Sequence, residues 1–170
     1  MTNKQRERSV AIAKDVLKQI KHLRIVRDRY MVFPDGLFDY TDIGRDMQSM
    51  LPRLFRYRKK CRVCALGACM LSHVKLYDKF NLPGAAAVWD HSFRDNLVSA
   101  MGERNTCLIE TAFEKASIVY FPDEAAEHNA IAFGRQYKND ADRLVAIMKA
   151  VIKNKGEFIP EAKKAKRIAA

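Results

Sequence analysis

From Asn3 to Arg24 the apolar positions return every three or four residues: Val10, Ala13, Leu17 and Ile20 mark one stripe, and Ile12, Val16 and Leu23 widen it. That period wraps one face of a helix, so the segment predicts an amphipathic α-helix with Thr2 or Asn3 as its cap. Between Arg24 and Phe33 the pattern changes. Ile25, Val26, Tyr30, Val32 and Phe33 are β-branched or aromatic and stand before the turn signal Pro34-Asp35-Gly36, which predicts a short extended segment or edge strand. Asp42 is placed to cap a second helix through Met50, which Pro52 ends or bends.

Val63 to Tyr77 is apolar almost all round and predicts a central buried helix, in which Gly67 between Ala65 and Ala68 marks a close helix approach. After the break at Asn81 to Gly84, Asp90 caps a helix bearing Phe93, Leu97, Val98 and Met101, with Gly102 as its left-handed C-terminal cap. A further helix runs from Asn105 to Ala116 with Leu108, Ile109, Ala112 and Phe113 inward, and Pro122 and Asp123 open another through Ala130, Ile131 and Phe133. Asn139 or Asp140 opens the last, whose stripe of Leu144, Ile147, Met148 and Val151 ends at Asn154-Lys155-Gly156. The expected fold is therefore mostly α: one compact domain of six to eight helices over residues 1–160 and a basic flexible tail over residues 161–170. At most a small β element joins it, near Ile25 to Phe33 and at Glu157 to Ile159. No repeat of fixed period points to a solenoid.

Composition agrees with one folded domain. A chain of 170 residues buries one sizeable core, and its 48% apolar and 30% charged residues are those of a folding chain. Seven glycines and five prolines supply too few turns for an all-β sandwich or barrel. The first thirty residues hold no continuous apolar stretch of the secretory kind, and the longest apolar run, Ala65 to Leu71, is too short to cross a bilayer. A cytoplasmic protein is expected, with Cys61, Cys64, Cys69 and Cys107 as free thiols or ligands rather than a disulfide framework.

Charge changes the picture more. Lys and Arg number 31 against 20 Asp and Glu, leaving +11. Residues 1–60 carry +8 of this, residues 61–120 none and residues 121–170 +3. Such a surplus attracts polyanions without choosing among them. It is densest at Arg53, Arg56, Arg58, Lys59, Lys60 and Arg62, six cations in ten residues with no acid, interleaved with Phe55 and Tyr57. Cations beside aromatic faces are what phosphate contacts with base stacking require, so Arg53, Arg56, Tyr57, Arg58, Lys59, Lys60 and Arg62 form the expected anion-binding site. The alternative is a solvated loop whose aromatics pack on the core while the cations reach outward. Lys14, Lys18 and Lys21, on the polar side of the first helix, extend the patch.

The sharpest local motif is Cys61, Cys64, Cys69 and His73, four zinc donors within thirteen residues spaced like a compact zinc knuckle. The apolar pattern from Val63 competes with it. One helix aligns Cys69 with His73 at i and i+4, sends Cys64 elsewhere and leaves Cys61 before its start. Buried thiols without metal are the preferred reading, and a small zinc-stabilised module stays as the alternative. Cys61 and Cys64 lack the βαβ setting of a redox pair. Catalytic groupings are thin. His22, His91 and His128 stand apart from any nucleophile, and no glycine-rich phosphate loop, nucleophile elbow or H-E-x-x-H occurs. Asp90 beside Trp89 and His91 reads as a cap, and Asp123, Glu124 and Glu127 as acids favoured at a helix start. The expectation is a non-enzymatic basic binding protein that needs no cofactor and binds nucleic acid or nucleotide. An inhibitor docking on a host protein is the runner-up, and an unrecognised enzyme stands behind it.

Val63-Cys64-Ala65-Leu66-Gly67-Ala68, Ala130-Ile131-Ala132-Phe133-Gly134, and Arg143 to Met148 leading to Asn154-Lys155-Gly156-Glu157-Phe158 resemble small uncharacterised proteins of bacteriophages and prophages over about half the chain. The resemblance implies an accessory product in the cytosol of an infected bacterium that works by binding a host protein, a nucleic acid or a signalling nucleotide. No residue inherits a role from it, and Cys61, Cys69 and His73 lie outside its pattern.

Overall fold

A computed structural model describes residues 1–27, 31–32, 62–77, 91–117 and 123–161, with the backbone alone at 31–32 and 91–93. The expected helix from Asp42, the Asp90 cap and the tail beyond Glu161 lie outside the described residues. Helix α1 (Asn3–Gln19) opens with a reciprocal cap: the Gln5 N–H donates to Thr2 Oγ1 at 3.2 Å, and the Thr2 N–H donates to Gln5 Oε1 at 2.9 Å. A 3-10 turn, Ile20–His22, leads from it into a small sheet.

The sheet has three two-residue strands, β1 (Arg24–Ile25), β2 (Met31–Val32) and β3 (Arg62–Val63), with β3 in the middle. β1 runs parallel to β3 and β2 antiparallel, and the Val26 N–H donates to the Val63 carbonyl at 3.0 Å beyond the strand end. Val63, expected in the central helix, is thus a strand residue. Helix α2 (Ala65–Tyr77) starts two residues later, where the Ala68 N–H reaches the Cys64 carbonyl at 3.0 Å. Glu157 to Ile159 forms no strand, because the Phe158 N–H is taken by the Asn105 side chain at 2.6 Å rather than by a neighbouring strand.

Four more helices complete the described fold: α3 (His91–Met101), α4 (Glu103–Glu114), α5 (Glu124–Arg135) and α6 (Asp140–Lys153). The fold is mostly helical, with six α-helices among the described residues. α1 packs on α2, α3 and α6, while α4 packs on α2, α3, α5 and α6. Between them lie Ile12, Val16, Leu66, Met70, Leu97, Leu108, Ile109, Phe113, Leu144, Ile147 and Phe158, all essentially buried. α4 and α5 touch backbone to backbone: a Cβ at Gly134 would stand 1.9 Å from the Ala112 carbonyl oxygen, so only glycine fits there. Asp123 and Asn139 cap α5 and α6 through the N–H groups of Ala126 (3.0 Å) and Asp142 (2.6 Å), as the sequence predicts. Gly102 has φ +84 but ψ 143, which is not the left-handed cap expected of it; its carbonyl instead receives the Thr106 N–H and starts α4 directly after α3. Among the described residues no helix is long and apolar enough to cross a membrane.

Candidate anion-binding surface

The sheet sets two arginines side by side. Partner residues in a parallel pair share a face on strands about 4.8 Å apart, and the register places Arg24 against Arg62 and Ile25 against Val63. Val63 is buried and Ile25 half-buried, so the apolar pair anchors the sheet to the core while Arg24 and Arg62 stand in solvent. Like charges directly opposite each other cost sheet stability. Among the described residues neither guanidinium has a carboxylate partner to offset that cost. Of the residues expected to bind an anion, Arg62 is therefore on the surface beside a cation that sequence reasoning missed. Arg53, Arg56, Tyr57, Arg58, Lys59 and Lys60 lie outside the described residues. Lys14, Lys18 and Lys21 are exposed, as a polar helix face requires.

A second basic group gathers where α4 and α5 end and α6 begins. Its anchor is Arg143, a fully buried guanidinium. It donates to the carbonyls of Phe113 (2.8 Å), Gly134 (3.1 Å) and Tyr137 (3.1 Å) and to Asp140 Oδ1 (2.7 Å), and lies over the Phe113 ring at 5.6 Å. Arg27 reaches the same Asp140 oxygen at 3.5 Å. Lys115, in the left-handed conformation that ends α4, and Arg135, in the last turn of α5, follow the carbonyls that Arg143 holds. Burial, then the charges of Arg143, Arg27 and Arg135, hold the Lys115 ammonium below its ordinary pKa, with Asp140 opposing.

Cys64, Cys69 and Cys107, by contrast, are buried in the core. Burial pushes the Cys64 thiol up to about 12, with the carboxylates of Glu114 and Glu110 adding to it and backbone N–H groups of Gly67 and Leu66 opposing. Burial raises Cys69 further. A thiol held protonated is a weak ligand and a weak nucleophile. Cys69 and His73 do share one face of α2, but Cys64 precedes the helix, and Cys61 lies outside the described residues. Among the described residues no three His, Cys, Asp or Glu side chains gather to hold a metal.

Other polar groups bind elements together. Asp15 accepts from Gln19 and from Lys75 Nζ (2.5 Å), and Gln19 also donates to Ser72 Oγ at 3.2 Å, joining α1 to α2. Arg94 of α3 donates to Cys107 Sγ of α4 at 2.6 Å and lies 3.7 Å from Glu110. Asp123 is held below the usual carboxylate range by the Ala126 N–H and by Arg104, its ion-pair partner at 3.1 Å. His128 is exposed. Comparison with known proteins adds no precedent for this surface: no family model matches the chain, nor does any curated protein or solved structure.

Proposed function

We propose that this is a non-enzymatic binding protein for a phosphate-bearing ligand, a nucleic acid or a nucleotide, whose described contact is the Arg24 and Arg62 pair. One observation carries the reading. Two exposed guanidiniums sit in register on neighbouring strands without a carboxylate among the described residues, an arrangement that costs energy until an anion lies between them. The net charge of +11 supports it by concentrating polyanions around the molecule. The basic run that ends at Arg62 would extend the contact along the chain.

The test is a titration of a labelled oligonucleotide at 50 and 200 mM NaCl, read by fluorescence anisotropy. The parent protein should lose affinity steeply with salt, because each phosphate contact releases condensed counterions. Arg24→Gln with Arg62→Gln should weaken binding at least tenfold, about 1.4 kcal/mol, flatten the salt slope by about two contacts and leave the melting temperature unchanged or higher. A double variant that binds as tightly as the parent defeats the reading. So does a parent that shows no salt-dependent binding, and that outcome would favour a protein partner instead.

A further inference from the structure

We infer that Arg27, Lys115 and Arg135, brought to the end of α4, the end of α5 and the start of α6, hold a second phosphate of the same ligand, so that the ligand is a nucleic-acid strand and not a lone nucleotide. This rests on the anion-binding reading of Arg24 and Arg62.

The geometry of the second group follows from Arg143. Its fork fixes the carbonyls of Phe113 and Gly134, and Lys115 and Arg135 stand two residues and one residue beyond them. Asp140 holds Arg143 at 2.7 Å and Arg27 at 3.5 Å, so one carboxylate already serves two cations before Lys115 and Arg135 are counted. A plain alternative is that Lys115 and Arg135 serve the carbonyl ends of α4 and α5, where cations are favoured. Those ends are already served: Arg143 donates to the carbonyls of Phe113, Gly134 and Tyr137 from inside the fold. The further cations are surplus to helix termination. Arg143 cannot leave, since it is fully buried, and its charge adds to theirs. Burial first, and then the charges of Arg143, Arg27 and Arg135, make the Lys115 ammonium less basic than usual.

The two groups are joined by β1. Arg24 and Arg27 lie three residues apart, and the hydrogen bond from Val26 to Val63 keeps that stretch extended. At about 3.3 Å per residue the separation is about 10 Å. β1 ends at Ile25 and the chain bends at Arg27, whose guanidinium lies 3.5 Å from Asp140. One phosphate does not reach both groups, whereas a strand that carries a phosphate for about every 3.4 Å of duplex axis places different phosphates on each.

The experiment compares the parent, Arg24→Gln/Arg62→Gln and Lys115→Gln/Arg135→Gln on three labelled 12-nucleotide probes, single-stranded DNA, single-stranded RNA and duplex DNA, and on a labelled nucleoside monophosphate. Lys115→Gln/Arg135→Gln should bind its best 12-nucleotide probe at least fivefold more weakly, with a salt slope shallower by about two contacts, and bind the monophosphate as the parent does. Lys115→Arg/Arg135→Lys should bind like the parent, which separates lost charge from lost packing. If only Arg24→Gln/Arg62→Gln weakens binding, the inference falls and the anion-binding reading stands. If neither pair matters, both fall. Equal losses on the monophosphate and the 12-nucleotide probe would make the two groups one phosphate site and overturn the strand.

Discussion

A histidine inside a helical core brings an acid sensitivity that an apolar residue in its place would lack. His73 is 6% exposed, its ring 5.3 Å from that of Tyr77, and Arg8 of α1 lies over the same Tyr77 ring at 5.2 Å. Burial first, and the Arg8 charge second, lower its pKa to about 4 from 6.5. In the unfolded chain it takes up a proton near 6.5, so between these values the unfolded state binds more protons than the folded one. The contribution of neutral His73 is intact above pH 6.5 and is lost as the pH falls toward 4, up to about 3 kcal/mol at 1.36 kcal/mol per unit. We predict that urea unfolding at pH 7 and pH 4.5 shows a smaller loss in His73→Gln than in the parent, by at least about 1 kcal/mol. The other titratable groups are common to both proteins and cancel in the difference. Equal losses would mean that His73 charges in the fold as easily as out of it.

At the scale of elements, one side chain holds three helix ends. Arg143 stands one residue before Leu144 and four before Ile147, so the apolar stripe of α6 carries it inward, where its donors meet the carbonyls closing α4 and α5. Arg143→Met should cost about 3–5 kcal/mol, because it strands three carbonyls at once and takes from Asp140 the nearer of its two cations. Arg143→Lys should recover only part of this, since one ammonium lacks the planar fork that serves several carbonyls. Chemical denaturation of the three proteins checks both, and a methionine variant as stable as the parent would show that water replaces the fork. Much of this level was legible beforehand. The caps at Thr2, Asp123 and Asn139 are local chemistry, a side-chain oxygen three residues ahead of the N–H it accepts, and they are found where the sequence puts them. The strand at Arg62–Val63 was not legible, because it exists only through β1 and β2, far back in the chain, and Val63 continues the apolar run of α2 without a break in pattern. Phe158 was misread for the same reason: its N–H is claimed by Asn105, 53 residues away.

For the molecule as a whole, charge was legible as an amount and not as an arrangement. The sequence shows the surplus and its densest run, but the meeting of Arg24 with Arg62, and of Arg27 with Asp140, depends on strand register and on where α6 begins. The same surplus acts on stability. At +11 the folded molecule repels itself more than the expanded chain does. Attractive surface pairs, such as Arg6 with Glu157 at 2.6 Å and Arg104 with Asp123, are exposed and return little. Screening should therefore favour the fold. Raising NaCl from 10 to 150 mM shortens the screening length from about 30 to about 8 Å, and we expect the melting temperature to rise by about 2–4 °C, the equivalent of about 1 kcal/mol for a chain of this size. Chloride is the salt of choice, since phosphate or sulfate would also occupy the arginine surface and stabilise by binding. Arg24→Gln/Arg62→Gln should start higher at low salt and gain less from it, because its closest like-charged pair is gone. A parent whose melting temperature falls with NaCl would show that its ion pairs outweigh its self-repulsion, and an unchanged gain in the variant would show that Arg24 and Arg62 already keep clear of each other in the free protein.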